Sequence, residues 1–526
     1  MAHPSLTFND VSFSWPDGTP VVDGLDLAVG PGRHGLVGHN GCGKSTLLRL
    51  AGGDLTPRSG TIQVDGDLAY LPQDPAAEPT RSVADVLGIA RPLAALTRVE
   101  AGDVRQDDLD LLADGDDWDV AERTSAELSR LGLGHLGLDR TIGSVSGGEL
   151  MLLSLTALLL RRPSVLLLDE PTNDLDCAAR ARVLDVVASW RGTLLVVSHD
   201  RELLGAMDDI VELRDGSVTW YGGDYDAYEA AVVADQEAAE RLVRAAESDV
   251  RAQRRDLVES QSKLAHRRKA GEKAWTEKRM PKIAMGNAKR RAEVSAGRLT
   301  NLHERRLSSV EAQLQDAEAR LRGDREIHVD LPDTAVPEGR VVLVADGLSG
   351  LHGRARLDLH VQGPERIGLT GPNGSGKTSL LRAIVGADEP AAGTVDVRVP
   401  LRYLPQRMDV LDDSLTVAEN IARIAPDATE TQRRSRLARF LVRGRAADRP
   451  ASTLSGGERL RATLACLLLA EPAPQLLLLD EPSNNLDLPS VRHLVEALRS
   501  YEGALIVVSH DQPFLADLGL DRRIEV

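Results

Sequence analysis

Long apolar runs are missing from this chain of 526 residues; stretches such as 150–160 fall well short of the ~20 residues that a bilayer-crossing helix needs. The opening Met-Ala-His-Pro leads into no basic region followed by an apolar one, so no secretory leader and a cytoplasmic location are expected. Cysteine is nearly absent: Cys42, Cys177 and Cys466 show no metal-ligand spacing and, being odd in number, read as free thiols rather than a disulfide framework. Positive charge is in deficit, with 63 Lys and Arg against 80 Asp and Glu for a net charge of -17. Such a surface is unsuited to wrapping nucleic acid over its whole extent, though it leaves room for one local basic site. The remainder, 42% hydrophobic and 27% charged, is the composition of a globular protein long enough for at least two cores.

Lysine is the scarcest charge of all. The chain has eight, and six of them, Lys263, Lys269, Lys273, Lys278, Lys282 and Lys289, lie in one short segment. From 263 to 306 that segment holds fourteen Lys or Arg against four Glu. The other two lysines sit in a motif that occurs twice.

The first copy follows short strands within 6–37 and reads Gly38-His-Asn40-Gly41-Cys-Gly43-Lys44-Ser45-Thr46, a full G-x-x-x-x-G-K-[ST]. Its glycines let successive N–H groups curl round a phosphate, and the helix that follows adds its positive dipole end. Lys44 is expected to reach the β- and γ-phosphates and Ser45 to hold Mg²⁺. The second copy is Gly371-Pro-Asn373-Gly374-Ser-Gly376-Lys377-Thr378-Ser379. Lys44 and Lys377 are 333 positions apart, as are the Gln73 and Gln406 of two Tyr-Leu-Pro-Gln stretches, so the halves are an internal repeat. Ser146-Gly147-Gly148-Glu149 and Ser455-Gly456-Gly457-Glu458 are separated by only 309, which places 24 extra residues in the first half, within 85–140. That stretch carries Asp107, Asp108, Asp110, Asp114, Asp116, Asp117 and Asp119 and is expected to be helical, with its acids on a solvated face.

Two continuous apolar runs then end in paired carboxylates, Asp169-Glu170 and Asp480-Glu481. Such runs suit strands covered on both faces, and ligands in parallel sheets sit at the carboxyl ends of strands. Asp169 and Asp480 are therefore placed to ligate Mg²⁺, and Glu170 and Glu481 to polarise an attacking water. One His after an apolar strand is usually structural. Here His199 and His510 each stand 30 residues beyond their aspartate, and that recurrence favours hydrogen bonding to a γ-phosphate.

Phosphate loop, glutamine, Ser-Gly-Gly-Glu, paired carboxylates and histidine, in this order and twice, resemble the ATP-binding cassette ATPases. Glu149 and Glu458, Asn173 and Asn484, and the Tyr221 to Tyr228 stretch resemble family F in particular. The resemblance implies an α/β fold: two P-loop cassette domains in tandem, 1–232 and 329–526, joined by a long α-helical hairpin at 233–328. It implies head-to-tail closure within one monomeric chain, so that each Ser-Gly-Gly motif caps the ATP held by the other half. One site would combine Lys44, Ser45, Gln73, Asp169, Glu170 and His199 with Ser455 to Glu458; the other Lys377, Thr378, Gln406, Asp480, Glu481 and His510 with Ser146 to Glu149. Gln73 and Gln406 would join the Mg²⁺ sets. Members of the family bind the ribosomal exit site and direct their linker toward the peptidyl-tRNA, as translation factors or in antibiotic protection. Three features depart from the family: Asp174 and Asn485 stand where His is common, the first-half insertion is short, and Trp15, a candidate to stack on adenine, has no aromatic counterpart around Leu348.

The linker is legible without the resemblance. Residues 236–274 and 288–322 are free of proline and rich in Ala, Glu, Gln, Arg and Leu, whereas Pro281 and Gly286 interrupt them, which predicts a helical hairpin with a basic tip held by i,i+4 pairs. Lys269, Lys273, Lys278, Arg279, Lys282 and Lys289 are the candidate RNA contacts. A transporter ATPase subunit is the competing reading, and it leaves the basic hairpin without a use. A DNA-repair or chromosome ATPase is the third, weakened by the lack of zinc cysteines and of longer coils.

Overall fold

A computed structural model describes residues 5–75, 78–115, 117–276, 302, 305–318, 331–351, 355–407, 409–442 and 444–526. They group into two compact units, Met1–Ala227 with Glu326–Val526, and Tyr228–Arg325.

The first unit contains two cassettes of one design. In each, a small antiparallel sheet lies over a parallel one. In the first cassette Leu6–Ser14 pairs with Pro20–Val29 and Ser59–Val64. The larger sheet runs Leu68–Leu71, Val165–Asp169, Thr193–Val197, Gly32–Val37, Asp209–Arg214, all parallel, and is closed by the antiparallel Ser217–Gly222. In the second cassette Val341–Ser349 pairs with Leu357–Gln362 and Ala392–Val397, and five parallel strands run Leu401–Leu404, Leu476–Asp480, Ala504–Val508, Arg366–Thr370, Arg522–Glu525.

The central strands show why continuous apolar runs are needed. Every residue of Leu476–Asp480 and of Ala504–Val508 is buried, yet their side chains divide between two cores. Leu476, Leu478, Ile506 and Val508 pack with the antiparallel sheet and the Lys377–Val385 helix. Leu477, Leu479, Leu505 and Val507 pack with the helices Gly456–Leu468 and Leu488–Arg499. This is the two-residue period of a strand, read on both faces at once. The paired carboxylates emerge where Leu476–Asp480 ends, and His510 follows just beyond the end of Ala504–Val508.

The first-cassette insertion is helical, with Ala90–Glu100, Gln106–Asp114 and Val120–Arg130. Its acids are not all on a solvated face. Asp108 is buried and accepts two bonds from Arg98, at 2.9 and 2.5 Å, while Arg123 bridges Asp117 and Asp119.

In the second unit the helix is a single one, Tyr225–Thr276, starting eleven residues before the sequence pattern predicts because Asp224 accepts the amide of Ala227 at its first turn. Residues 305–318 are also helical, and Arg254 pairs with Glu311 at 2.8 Å between the two stretches. The i,i+4 pairs Glu237–Arg241, Glu240–Arg244, Glu247–Arg251 and Glu259–Lys263 line the long helix, all between exposed side chains where such pairs contribute little individually. The predicted interruption at 280–287 lies outside the described residues. Among the described residues no helix is long and apolar enough to cross a membrane.

Replacing the fully buried Leu478 by Ala should cost about 2–5 kcal/mol, since its strand cannot collapse onto the void without moving the carboxylates at its end. Urea denaturation of the full chain should show a lower midpoint for the second cassette; an unchanged midpoint would contradict this account of the core.

Candidate functional site

Both phosphate loops depend on glycines that no other residue could replace. Gly38, at φ 153°, and Gly371, at φ 150°, pass so close to neighbouring backbone that an added Cβ would lie 2.3 Å from the carbonyl oxygen of Leu213 and 2.2 Å from that of Val526. Gly43 and Gly376, at φ 107° and 109°, turn the chain into the helices Lys44–Ala51 and Lys377–Val385. Thr46 and Ser379 fall in the first turns of those helices. Lys44 Nζ donates to the carbonyls of Gly38 and His39 at 2.7 and 3.1 Å, and Lys377 Nζ to those of Gly371 and Pro372 at 2.8 and 2.9 Å. Each ammonium thus lies under its own loop, where a phosphate would complete its shell.

Beside each lysine stands the aspartate of a central strand. Ser45 Oγ donates to Asp169 Oδ1 at 3.1 Å and the Tyr70 hydroxyl to Oδ2 at 3.4 Å; Tyr403 reaches Asp480 Oδ2 at 3.1 Å, with the Thr378 hydroxyl beside the same carboxyl. Burial raises both carboxyls above their ordinary range, against the pull of these donors and of the lysines. The tyrosines were missed as site residues. Their signal was present, since both belong to the repeated Tyr-Leu-Pro-Gln.

Glu170 and Glu481 occupy the left-handed region, at φ 47° and 46°, a conformation that turns each side chain out of the strand at a cost of roughly 1–3 kcal/mol. Their amides donate to Val197 and Val508 at 2.8 and 2.9 Å, which holds the turn. Burial pushes Glu170 up to about 8 and Glu481 up to about 7, and pushes His199 down to about 3 and His510 down to about 4. His199 Nε2 lies 3.5 Å from Glu170 Oε1, and His510 Nε2 lies 3.4 Å from Glu481 Oε1. Each site therefore holds a neutral imidazole against a carboxyl poised near neutrality.

The Ser-Gly-Gly-Glu motifs are helix starts built as capping boxes. Ser146 Oγ accepts the amide of Glu149 at 3.3 Å while Glu149 Oε2 accepts the amide of Ser146 at 2.9 Å; Ser455 and Glu458 repeat the exchange at 3.4 and 2.9 Å. Gly147, Gly148, Gly456 and Gly457 are the first residues of these helices, so their amides have no carbonyl partner within the helix.

The cassettes meet head to tail through these parts. Asn40 Nδ2 donates to the carbonyl of Asn485, and Asn373 Nδ2 to that of Asp174, both at 2.9 Å. Asn40 N–H donates to Asp487 at 2.9 Å, and an added Cβ on Gly456 would lie 4.0 Å from Asn40 Nδ2. Burial pushes the Asp487 carboxyl up, but His39, Ser490 and Asn40 overcome this and hold it well below the usual range. A cavity of about 1920 Å³ runs along the junction. Lys44, Ser45, Gln73, Glu170 and His199 line it with Gly456, and Gln406, Glu481 and His510 line it with Ser146 to Glu149. Ser455, Gly457 and Glu458 do not line it, and neither do Asp169, Lys377, Thr378 and Asp480. Asp174 and Asn485, set apart in the sequence only as departures, accept through their backbone carbonyls at the junction.

Trp15 lines the same cavity, held edge-on by Phe13 with ring centroids 5.2 Å apart. Strand register corrects its counterpart. Asn9 pairs with Thr61 as Asp346 does with Thr394, so Leu348 holds the place of the core residue Val11, and the equivalent of Trp15 is position 352, outside the described residues. Of the linker candidates, Lys269 is exposed on the long helix, and Lys273 falls on the same helix. Lys278, Arg279, Lys282 and Lys289 lie outside the described residues.

The family described as ABC transporter matches this chain twice, at 22–173 and 355–484. The chain is 34% identical to the tylosin resistance ATP-binding protein TlrC of Streptomyces fradiae, over 94% of this chain and 93% of that protein. It is 32% identical to the energy-dependent translational throttle protein EttA of Mycobacterium tuberculosis, over 94% and 87%. To ABC transporter F family member 5 of Arabidopsis thaliana it is 30% identical, over 94% and 70%. Among solved structures the RNase-L Inhibitor matches in fold with a TM-score of 0.57, at 20% identity over 98% of this chain and 87% of that one.

Replacing Ser146 or Ser455 by Ala removes the oxygen that caps its helix and should cost about 0.5–2 kcal/mol. Thermal unfolding of each variant checks this, with Asp at the same position expected to recover most of the loss.

Proposed function

We propose a function from one premise: this chain belongs to the F family of ATP-binding cassette proteins, and it is an ATPase that binds ATP in its two cassettes. On our reading it binds the ribosome at the exit site from the cytoplasm, as a single chain, and acts toward the peptidyl-tRNA through its basic linker, in translation control or in protection from antibiotics. One observation carries the ribosome reading. A chain of net charge -17 concentrates fourteen basic residues against four acidic ones between 263 and 306, a pattern suited to phosphate contacts. The names of two relatives, one a tylosin resistance protein and one a translational throttle, support it.

The proposed chemistry follows from the geometry. Each γ-phosphate would lie between a phosphate-loop lysine and the helix start of the opposite cassette, whose glycine amides supply donors that ADP, lacking that phosphate, leaves unused. Closure is thereby tied to the nucleotide. Glu170 and Glu481 would orient the attacking water and take its proton, which suits carboxyls raised toward neutrality. His199 and His510, neutral, would donate to the γ-phosphate. Ser45 with Asp169, and Thr378 with Asp480, offer the hard oxygen donors that Mg²⁺ takes, and Asp480 Oδ1 is buried with no hydrogen-bond partner among the described residues. Gln73 and Gln406 would complete these sets. When bound, the ion neutralises phosphate charge. Trp15 would stack on the adenine of the first site.

Replacing Glu170 and Glu481 together by Gln should leave ATP binding intact and lower turnover by about 10²–10⁴. Single-turnover hydrolysis at the parent rate would remove both residues from the chemistry.

Neutralising Lys269, Lys273, Lys278, Arg279 and Lys282 should leave intrinsic ATPase near the parent value while weakening ribosome binding. Each lost contact to single-stranded RNA should flatten the log–log salt dependence by about 0.7. Cosedimentation across a salt series reads this directly, and unaltered binding at every salt concentration would assign recognition to the cassettes instead.

A further inference from the structure

The two ATP sites differ in what reaches them from across the junction. Asp176 caps the helix Cys177–Ser189 and Asp487 caps Leu488–Arg499, so Arg180 of the first cassette and Val491 of the second hold equivalent places. Val491 is a core residue, 3% exposed. Arg180 is 8% exposed and points across the interface. One guanidinium nitrogen donates to the backbone carbonyl of His510 at 3.1 Å, and the other to Asp200 Oδ1 at 2.5 Å. Asp200 follows His199 and is fixed in turn by the amides of Glu202 and Leu203, at 2.9 and 3.1 Å. On the far side the His510 amide donates to Glu481 Oε2 at 3.3 Å. Cys177 adds a second contact from the same helix, with Sγ 3.6 Å from His510 Nδ1.

A continuous path therefore runs from the histidine loop of the first cassette, through Arg180, to the His510 peptide and the Glu481 carboxylate of the second. Among the described residues no side chain of the second cassette bonds the His199 peptide in return, although Asp517 pairs with Arg201, two residues further on, at 2.6 Å. Leu488 and Val491 replace Cys177 and Arg180, and both ring nitrogens of His199 are buried with no hydrogen-bond partner among the described residues.

We infer that Arg180 is a positioning residue for the second ATP site, fixing His510 and Glu481 from the opposite cassette, and that the first site works without such an arm. The inference rests on the proposed roles of Glu481 and His510. A buried guanidinium suits the task because its planar fork can hold two acceptors at once in a set geometry, which a lysine cannot. Losing it would leave the His510 loop free to shift by a fraction of an ångström, enough to misplace a water-orienting carboxylate.

Site-resolved kinetics test this on the full chain. Glu170→Gln silences the first site and reports the second; Glu481→Gln does the reverse. Added to Glu170→Gln, Arg180→Met should lower kcat about tenfold while KM for ATP stays within about twofold. Added to Glu481→Gln it should change kcat by less than about twofold. Arg180→Lys, able to reach only one of the two acceptors, should fall between parent and Met in the Glu170→Gln background. Equal losses in both backgrounds, or a loss confined to KM, would overturn the inference. Should Arg180→Met fail to fold, the Lys variant decides, and no site-selective loss in it would also overturn the inference. Turnover surviving in the Glu170→Gln, Glu481→Gln double variant would overturn the assignment of the carboxylates, and this inference with it.

Discussion

A strand covered on both faces can carry polar groups only at its ends, and both sites are built on that constraint. Leu476–Asp480 sends alternate leucines into separate cores, and its first polar side chain appears where the sheet stops. The carboxylate there is buried, with a tyrosine from the neighbouring strand on Oδ2 and no hydrogen bond to Oδ1 among the described residues. The next residue must turn sharply to leave the sheet, which is why Glu481 and Glu170 accept left-handed backbone. Strain, burial and raised carboxyl pKa are thus one consequence of a single packing decision.

What the sequence made legible was local. Glycine spacing, apolar runs and their terminal acids lie within a few residues of one another, so their geometry follows from the chain's own stereochemistry, and the repeat interval matched Lys44 with Lys377 without alignment. Contacts between cassettes were less accessible. Nothing near Arg180 reveals that its partner lies 330 residues away, and Asn40 and Asn373 look like ordinary loop residues until Asn485 and Asp174 are set against them. Counting back from the phosphate loop failed for Leu348 because the intervening hairpins differ in length, and strand pairing rather than numbering sets equivalence. Charge runs misled in a smaller way: Asp108 belongs to an acidic stretch, yet it is buried on Arg98.

The repeat also hides unlikeness. The two cassettes share their motifs, yet Cys177 and Arg180 of the first reach across the junction where their counterparts Leu488 and Val491 are buried apolar residues. The two halves match in their motifs and differ in the surfaces through which they meet one another.

The capping boxes extend that divergence to electrostatics. Glu149 and Glu458 are both kept ionised by their serines, in spite of burial, so each helix start meets its junction with a negative charge beside the glycine amides. The partners differ: His135 lies 2.8 Å from Glu149, whereas Arg449 lies 3.1 Å from Glu458. Arg449 reaches both oxygens of Glu458 and the carbonyl of Thr453 as well, while His135 meets a single oxygen of Glu149. The helix start of the second cassette is therefore tied to its flanking chain at more points than that of the first, and the two would yield unequally to a force across the junction.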